Sequence, residues 1–515
     1  MNVRRESHDE IYDCVVIGSG VGGLSAAALL AKAGKKVLVV ERHDRPGGYA
    51  HGFQRKKYSF DAAVHMIGDC DPDASQERGF VEALLRLLGV RDQVTFLPCE
   101  EMYTALYPDE RFVAPQGVDA FVQAHEERFP AEKDGFRRLI ALCQEINTEI
   151  RSMPSELAFW NLITMPRRFP KVFRYRNATL ADAMGEFLRD ERAKTVFSTL
   201  WGYQGLPPSR LSFIMFANML MSYLEGGSYY CQGGFQKLIG AFISSIANNG
   251  GEVLLRSSVR KILVNDGEVA GIMLENGQRI LAPMVVSNAD ATQTFEELVG
   301  TEHLSRKFMR ELRQMRPSLS AVVLYTATDL DPSAFGFGHE AIKMASWNHD
   351  ENYNYLVTGT PGCLAITIPS LLDPSVAPPG EHLLTAMTLI PYNLAASWRA
   401  EKEQHAEALL NQVESVIPGF KDHITFAEGA SPRTMERYTL NTTGAIYGWE
   451  QSPEQVGRNR LGHRTPIRGL FLSGHWTQPG GGVVGVMASG LQTAQIALGY
   501  SSIPSMWEAL ETRAT

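Results

Sequence analysis

Cys14-Val15-Val16-Ile17-Gly18-Ser19-Gly20-Val21-Gly22-Gly23, then Ala26-Ala27-Ala28-Leu29-Leu30, then Val37-Leu38-Val39-Val40-Glu41: this stretch decides how the rest of the chain is read. It predicts a strand, a glycine turn, a small-residue helix, a second strand and an acid at the end of that strand. Those parts in that order form the βαβ unit that grips the adenosine half of a dinucleotide. Gly18 permits the tight turn, and Gly20, with Gly22 beside it, lets the backbone approach a pyrophosphate. Gly23 lets the helix pack close to the strands, and the helix N-terminus faces the phosphate charge. Glu41 stands where a carboxylate accepts hydrogen bonds from a ribose diol.

The rest of the chain sets bounds on what surrounds this unit. Its 515 residues exceed one core and predict two or three domains. A net charge of −8 and the lack of a basic tract argue against a nucleic-acid partner. The six cysteines (Cys14, Cys70, Cys99, Cys143, Cys231 and Cys363) show no CxxC pair and no zinc spacing. They read as free thiols in a reducing, cytoplasmic setting, with no metal site. Met1 to Glu10 is polar, which disfavours a secretory leader. No apolar run reaches the about 18 residues needed to span a bilayer.

Further along, Arg42 and Pro46-Gly47-Gly48 follow the ribose acid, so the backbone passes the cofactor a second time. A hairpin is expected over Phe53 to Phe60, leading to Asp61 and His65. Residues 76 to 90, 119 to 150 and 177 to 225 carry helical periodicity, and Met102 to Pro115 reads as a hairpin. After Gly233-Gly234 comes an amphipathic helix. Short strands follow, including Val259 to Val264, turning at Asp266-Gly267 and Asn276-Gly277. Ser287-Asn288-Ala289-Asp290 closes that block. Strands are expected at Ala321 to Ala327, Leu364 to Ile368 and Leu383 to Leu389. The last motif runs from Leu470 through Gly474-His475 and Gly480-Gly481-Gly482 into a helix from about Val483 or Val484. Pieces of dinucleotide type alternate with other pieces. The expected division is a cofactor domain over 1-100, 226-300 and 441-515, interleaved with a substrate domain over 101-225 and 301-440.

In this order the motifs resemble the flavin-dependent superfamily of phytoene desaturases, carotenoid isomerases of the prolycopene isomerase type and retinol saturases, over nearly the whole chain. The resemblance implies FAD and a long apolar polyene substrate. It also implies an α/β fold in which a Rossmann-like FAD domain of the glutathione-reductase and amine-oxidase type interleaves with a mixed α+β substrate domain. Two features depart from the common pattern. The Gly-Asp pair of many such flavoproteins, whose Asp contacts the ribityl-phosphate region, is Gly474-His475 here, which leaves that contact unassigned. The run Phe60-Asp61 to His65 is closer to the saturase and isomerase branches than to bacterial desaturases. The residues themselves also favour FAD over NAD. A nicotinamide enzyme has no need of a C-terminal glycine-rich strand, loop and helix, whereas a helix N-terminus beside a flavin stabilises negative charge on its reduced ring.

The expected FAD contacts are Gly18, Gly20, Gly22, Gly23, Glu41, Arg42, Gly47, Gly48, Val259, Gly474, His475, Gly482 and Val483. His51, His65 and His475 sit in motifs that converge on the flavin, and each is a candidate for moving a proton. Asp61 reads as a carboxylate that orients backbone. A polyene channel is expected from Phe159, Trp160, Phe197, Trp201, Tyr203, Phe213, Met215, Phe216, Met219, Met221 and Tyr223. Leu157 to Met165, followed by Arg167, Arg168, Lys171, Arg174 and Arg176 among aromatics, suits a membrane interface, so peripheral membrane contact is expected near 155-225. The leading reading is FAD-dependent desaturation or isomerisation of a carotenoid- or retinoid-like isoprenoid. A saturase-type reductase, a flavin amine oxidase and a non-enzymatic prenyl-binding escort stand as alternatives. The oligomeric state is left open.

Overall fold

The computed structural model describes residues 10–73, 79–156, 159–360 and 362–512. At its centre five parallel strands lie in the spatial order Glu252–Leu254, Val37–Val40, Cys14–Ile17, Val285–Ser287 and Leu470–Leu472. The strands from Cys14, Val37, Val285 and Leu470 are buried at every position. A parallel sheet covered on both faces requires such uniformly apolar strands, and their Val, Leu and Ile content supplies them.

The helix Val21–Lys32 packs on this sheet and is buried from Val21 to Ala31. Its small residues admit the C-terminal helix Val483–Ala497 at close range. A Cβ added at Gly490 would lie 2.6 Å from the Gly22 carbonyl oxygen. Ser473 donates to that same carbonyl at 2.9 Å. The two ends of the sequence thus meet at the glycine turn.

A second sheet of seven strands runs in the order Ile424–Ala430, Ser320–Thr328, His382–Ile390, Leu364–Thr367, Glu340–Lys343, Glu101–Leu106 and Arg111–Pro115. All its pairings are antiparallel except the one between Glu340–Lys343 and Glu101–Leu106. A four-stranded sheet carries Val259–Asn265 and Glu268–Leu274, joined through Asp266 (φ 49°) and Gly267 (φ 77°). Two successive positive φ angles are what the Asp-Gly pair predicts for a tight hairpin.

The helical block reads more finely than the sequence predicted. The helix expected over 119 to 150 is two, Val118–Arg128 and Lys133–Arg151, separated at Pro130, which removes a backbone donor. Phe213–Gly226 is one helix with two faces. Phe213, Phe216, Ala217, Leu220, Met221 and Leu224 point into the core, while Ile214, Met215, Asn218, Met219, Ser222 and Tyr223 face a cavity.

Candidate active site

One cavity of about 1790 Å3 runs from the glycine turn past the C-terminal helix to the Phe213–Gly226 helix. A drug-sized ligand fills roughly 300–1,000 Å3, so this volume suits a dinucleotide together with an extended second molecule. At one end Gly18 has φ +89°, a conformation open to glycine, and a Cβ on Gly22 would lie 2.7 Å from Gly474 Cα. A Cβ on Gly20 would meet Asn288 Nδ2 at 2.6 Å, and one on Gly474 would meet Asn288 Oδ1 at 2.4 Å. The side chain of Asn288 is therefore wedged between the N-terminal and C-terminal glycines. The N-termini of Val21–Lys32 and Val483–Ala497 open on the same space, where their unpaired N–H groups favour an anion.

Glu41 is buried and already oriented. Its Oε2 accepts from Ser19 N at 2.9 Å and Ser19 Oγ at 2.7 Å, and its Oε1 accepts from His43 N at 2.8 Å. Val259 lies beside it on the wall with Ser257 and Ser258. Gly18, Gly20, Gly22, Arg42, Gly47, Gly48, Gly474, His475, Gly482 and Val483 also line the cavity. Gly23 stands one layer behind, where a Cβ would lie 2.4 Å from the Gly18 carbonyl oxygen, so it serves helix packing. A pyrophosphate cradle, a ribose acid and a second helix N-terminus in one cavity fit FAD.

The three candidate histidines all reach the wall but differ in charge. His51 donates from Nδ1 to the Gly48 carbonyl at 2.7 Å, and burial lowers its pKa. His475 is pushed down to about 3 by burial and then by the Arg460 guanidinium. Both rings are neutral near pH 7. Arg460 is itself buried and donates to the carbonyls of Trp449, Gln455, His475 and Thr477 at 2.5 to 3.3 Å, which ties the C-terminal loop together.

His65 sits otherwise. Its Nδ1 is 3.1 Å from the Ala63 carbonyl oxygen, and its Nε2 lies 3.4 Å from Tyr203 Oη and 3.5 Å from Glu340 Oε1. Glu340 is buried and accepts from Tyr203 Oη at 3.0 Å and Thr367 Oγ1 at 2.8 Å. Burial opposes the His65 charge, but the Glu340 carboxylate and the Ala63 carbonyl outweigh it and leave its pKa raised. Asp61 lies behind, accepting from Tyr230 Oη and Phe235 N, each at 2.8 Å, and burial lifts its pKa to about 6. It orients the backbone at Phe235.

The expected channel is corrected by helix geometry. Tyr203, Met215, Met219 and Tyr223 line the cavity, whereas Phe197, Trp201, Phe213, Phe216 and Met221 are core residues off its wall. The side chains of Phe159 and Trp160 lie outside the described residues, as do Leu157 and Ala158. Among the described residues no group of His, Cys, Asp and Glu could hold a metal ion, and no helix is long and apolar enough to cross a membrane.

A dinucleotide cradle built from the glycine turn at 18–23 and the segment 474–483, opening into an apolar chamber, defines an FAD-dependent oxidoreductase. The family model for flavin containing amine oxidoreductases matches residues 21–498, and the chain belongs to that family. Among curated relatives it is 26% identical to all-trans-retinol 13,14-reductase of Danio rerio, covering 90% of this chain and 82% of the relative. It is 28% identical to chloroplastic prolycopene isomerase 1 of an Oncidium hybrid cultivar, covering 94% and 83%. It is also 28% identical to the neurosporene-forming phytoene desaturase of Rhodobacter capsulatus, covering 94% and 93%. Among solved structures, an oxidoreductase from Methanosarcina mazei aligns with a TM-score of 0.64 at 18% identity, covering 94% of this chain and 99% of that one. Putrescine oxidase bound to putrescine aligns with a TM-score of 0.64 at 14% identity, covering 95% and 100%. These two likenesses speak for the fold.

Proposed function

We propose that this FAD enzyme acts on a long apolar polyene of the carotenoid or retinoid kind. The observation that carries the reading is the chamber beyond His475, walled by Val64, Met66, Ile214, Met215, Met219 and Met387. Unbranched thioethers and aliphatic side chains suit an extended hydrocarbon, and methionine adapts to a flexible one. The relatives named for retinol, prolycopene and phytoene support the same substrate class. When bound, FAD supplies the exchange of a hydride. The chain's own residues hold the cofactor's pyrophosphate at the glycine turn, align the hydrocarbon along the Phe213–Gly226 helix and exclude water.

An amine substrate finds less support. The wall carboxylate closest to His65 along the chain, Asp69, is paired with Arg151 at 3.1 Å and so is not free to receive an ammonium. We also infer the two-body division at 1-100, 226-300 and 441-515 against 101-225 and 301-440, with FAD in the first body.

We further propose that the polyene enters from a lipid surface. Arg168 and Arg176 are exposed and line the cavity together with Val172 and Phe173, so a basic, aromatic rim frames an opening. Arg176 lies over the Phe173 ring at 4.0 Å. The apolar residues preceding this rim in the sequence suit an interface.

The substrate reading is tested anaerobically with all-trans-retinol, prolycopene and phytoene, each presented to the oxidised and to the reduced holoenzyme and followed by product mass. One of the three should be converted. Conversion of none, alongside turnover of an amine, would replace this reading with the amine-oxidase one.

A further inference from the structure

At the cavity wall lies a polar cluster that an apolar chamber does not need: His65 and Tyr203 on the wall, with Glu340, Thr367, His339 and Asp61 behind them. Its hydrogen bonding bears on its charge. Nδ1 of His65 faces the Ala63 carbonyl, which only accepts. Nε2 faces Tyr203 Oη and the Glu340 carboxylate. The Tyr203 proton is already committed to Glu340 Oε1, so the phenol oxygen can only accept from His65. This arrangement, with the raised pKa, favours the imidazolium form of His65. Glu340 receives donors on both oxygens and is the carboxylate that balances it. His339 donates from Nε2 to the His65 carbonyl at 2.8 Å, and burial holds it neutral; its Nδ1 has no partner among the described residues. Asp61, on the strand Tyr58–Asp61, adds a further negative influence on His65.

Only one side of this pair meets the cavity. The side chain of His65 is 21% exposed and that of Glu340 is fully buried. The Nε2 contacts of 3.4 and 3.5 Å are longer than the 2.7–2.9 Å of a tight charge-assisted bond, so the proton is held loosely.

We propose that His65, on the cavity wall, donates a proton to a carbon of the substrate's double bond, with Glu340 as the positioning residue that keeps the imidazole charged and Tyr203 bridging the two. The proposal rests on the polyene reading above and assigns its direction, namely addition to a double bond. The π bond breaks and two C–H bonds form, one with the His65 proton and one with a hydride taken from the reduced cofactor. The two electrons come from the cofactor, which ends oxidised and must be reduced again by an external two-electron donor before the next turnover. His65 is left neutral and takes one proton from water per turnover. A desaturation would instead need His65 to start neutral, as a base.

Two measurements test this. The first needs no polyene: histidine-selective 15N NMR of the FAD-loaded protein, with His65→Gln assigning the signal. In the wild type His65 should titrate above its ordinary 6.5. In Glu340→Gln it should titrate below 6.5, and Glu340→Asp should restore part of the shift. The second is turnover by the reduced enzyme in D2O with the polyene that is converted. The product should carry two non-exchangeable solvent deuteriums, one by way of His65 and one by way of the reduced flavin, whose N–H exchanges with solvent, and His65→Gln should slow product formation about 100-fold. A His65 that titrates below 6.5, or that Glu340→Gln leaves unmoved, overturns the pair. A product with fewer than two solvent deuteriums, or a rate that His65→Gln leaves unchanged, overturns the proton transfer. If no polyene is converted, the substrate reading fails on its own, and the NMR titration still decides the pair.

Discussion

At the residue scale the site rests on a few atoms that cannot be enlarged or neutralised without loss. A Cβ at Gly22 would sit 2.7 Å from Gly474 Cα, backbone against backbone, where neither can give cheaply. Gly22→Ala should therefore cost about 1–3 kcal/mol of overpacking. It should also lower FAD content, checked by the flavin absorbance of the purified protein and its thermal midpoint. The His65–Glu340 pair predicts a pH dependence. His65 has a raised folded pKa, so its contribution is complete below its ordinary 6.5 and is lost as pH rises through the folded value. Glu340 has a lowered pKa despite its burial, because His65 stands beside it, so it remains ionised across that window. The thermal midpoint of wild type should exceed that of Glu340→Gln most at about pH 6 and less at about pH 9. His51→Gln and His475→Gln should leave the alkaline limb of activity where it is, since both rings are already neutral there. His65 was visible in the sequence because it follows a recognisable motif. Glu340 was not, because nothing local marks a carboxylate that meets its partner only when a strand of the second sheet is placed.

At the level of elements, the βαβ unit was legible because every determinant is local: glycine conformation, strand burial and the spacing of the acid. The hairpins at Asp266-Gly267 and Asn276-Gly277 were legible for the same reason. The channel was legible only in part. A list of aromatic and methionine residues mixes the two faces of Phe213–Gly226, and only the facing elements decide which face is core. The role of Asn288, wedged between two glycine loops, depends likewise on packing between distant segments. The two faces predict opposite phenotypes. Phe216→Ala empties a fully buried position and should cost about 3–5 kcal/mol in denaturant unfolding. Met219→Trp, on the cavity face, should keep stability and FAD content but obstruct the chamber, seen as loss of polyene binding.

On the scale of the whole molecule, strands from residues 14–40, 252–287 and 470–472 build one parallel sheet, and the intervening stretches build the chamber beside it. The cofactor site is thus assembled only when distant parts of the chain have folded together, so FAD binding should stabilise the protein globally, raising its thermal midpoint with FAD concentration. The basic rim at Arg168 and Arg176 belongs to this scale too. The protein should float with vesicles containing anionic lipid, and Arg168→Glu with Arg176→Glu should abolish flotation while FAD stays bound; equal behaviour of wild type and variant would remove the membrane from the account. The central claim is that one cavity holds FAD and a polyene in contact. Its most direct test is a titration of the FAD-loaded protein with retinol, prolycopene and phytoene, followed through the visible flavin band. A saturable shift of that band by one of them, lost in Met219→Trp with FAD still bound, is the predicted result. An unchanged flavin spectrum with all three, or a shift that survives Met219→Trp undiminished, would contradict it.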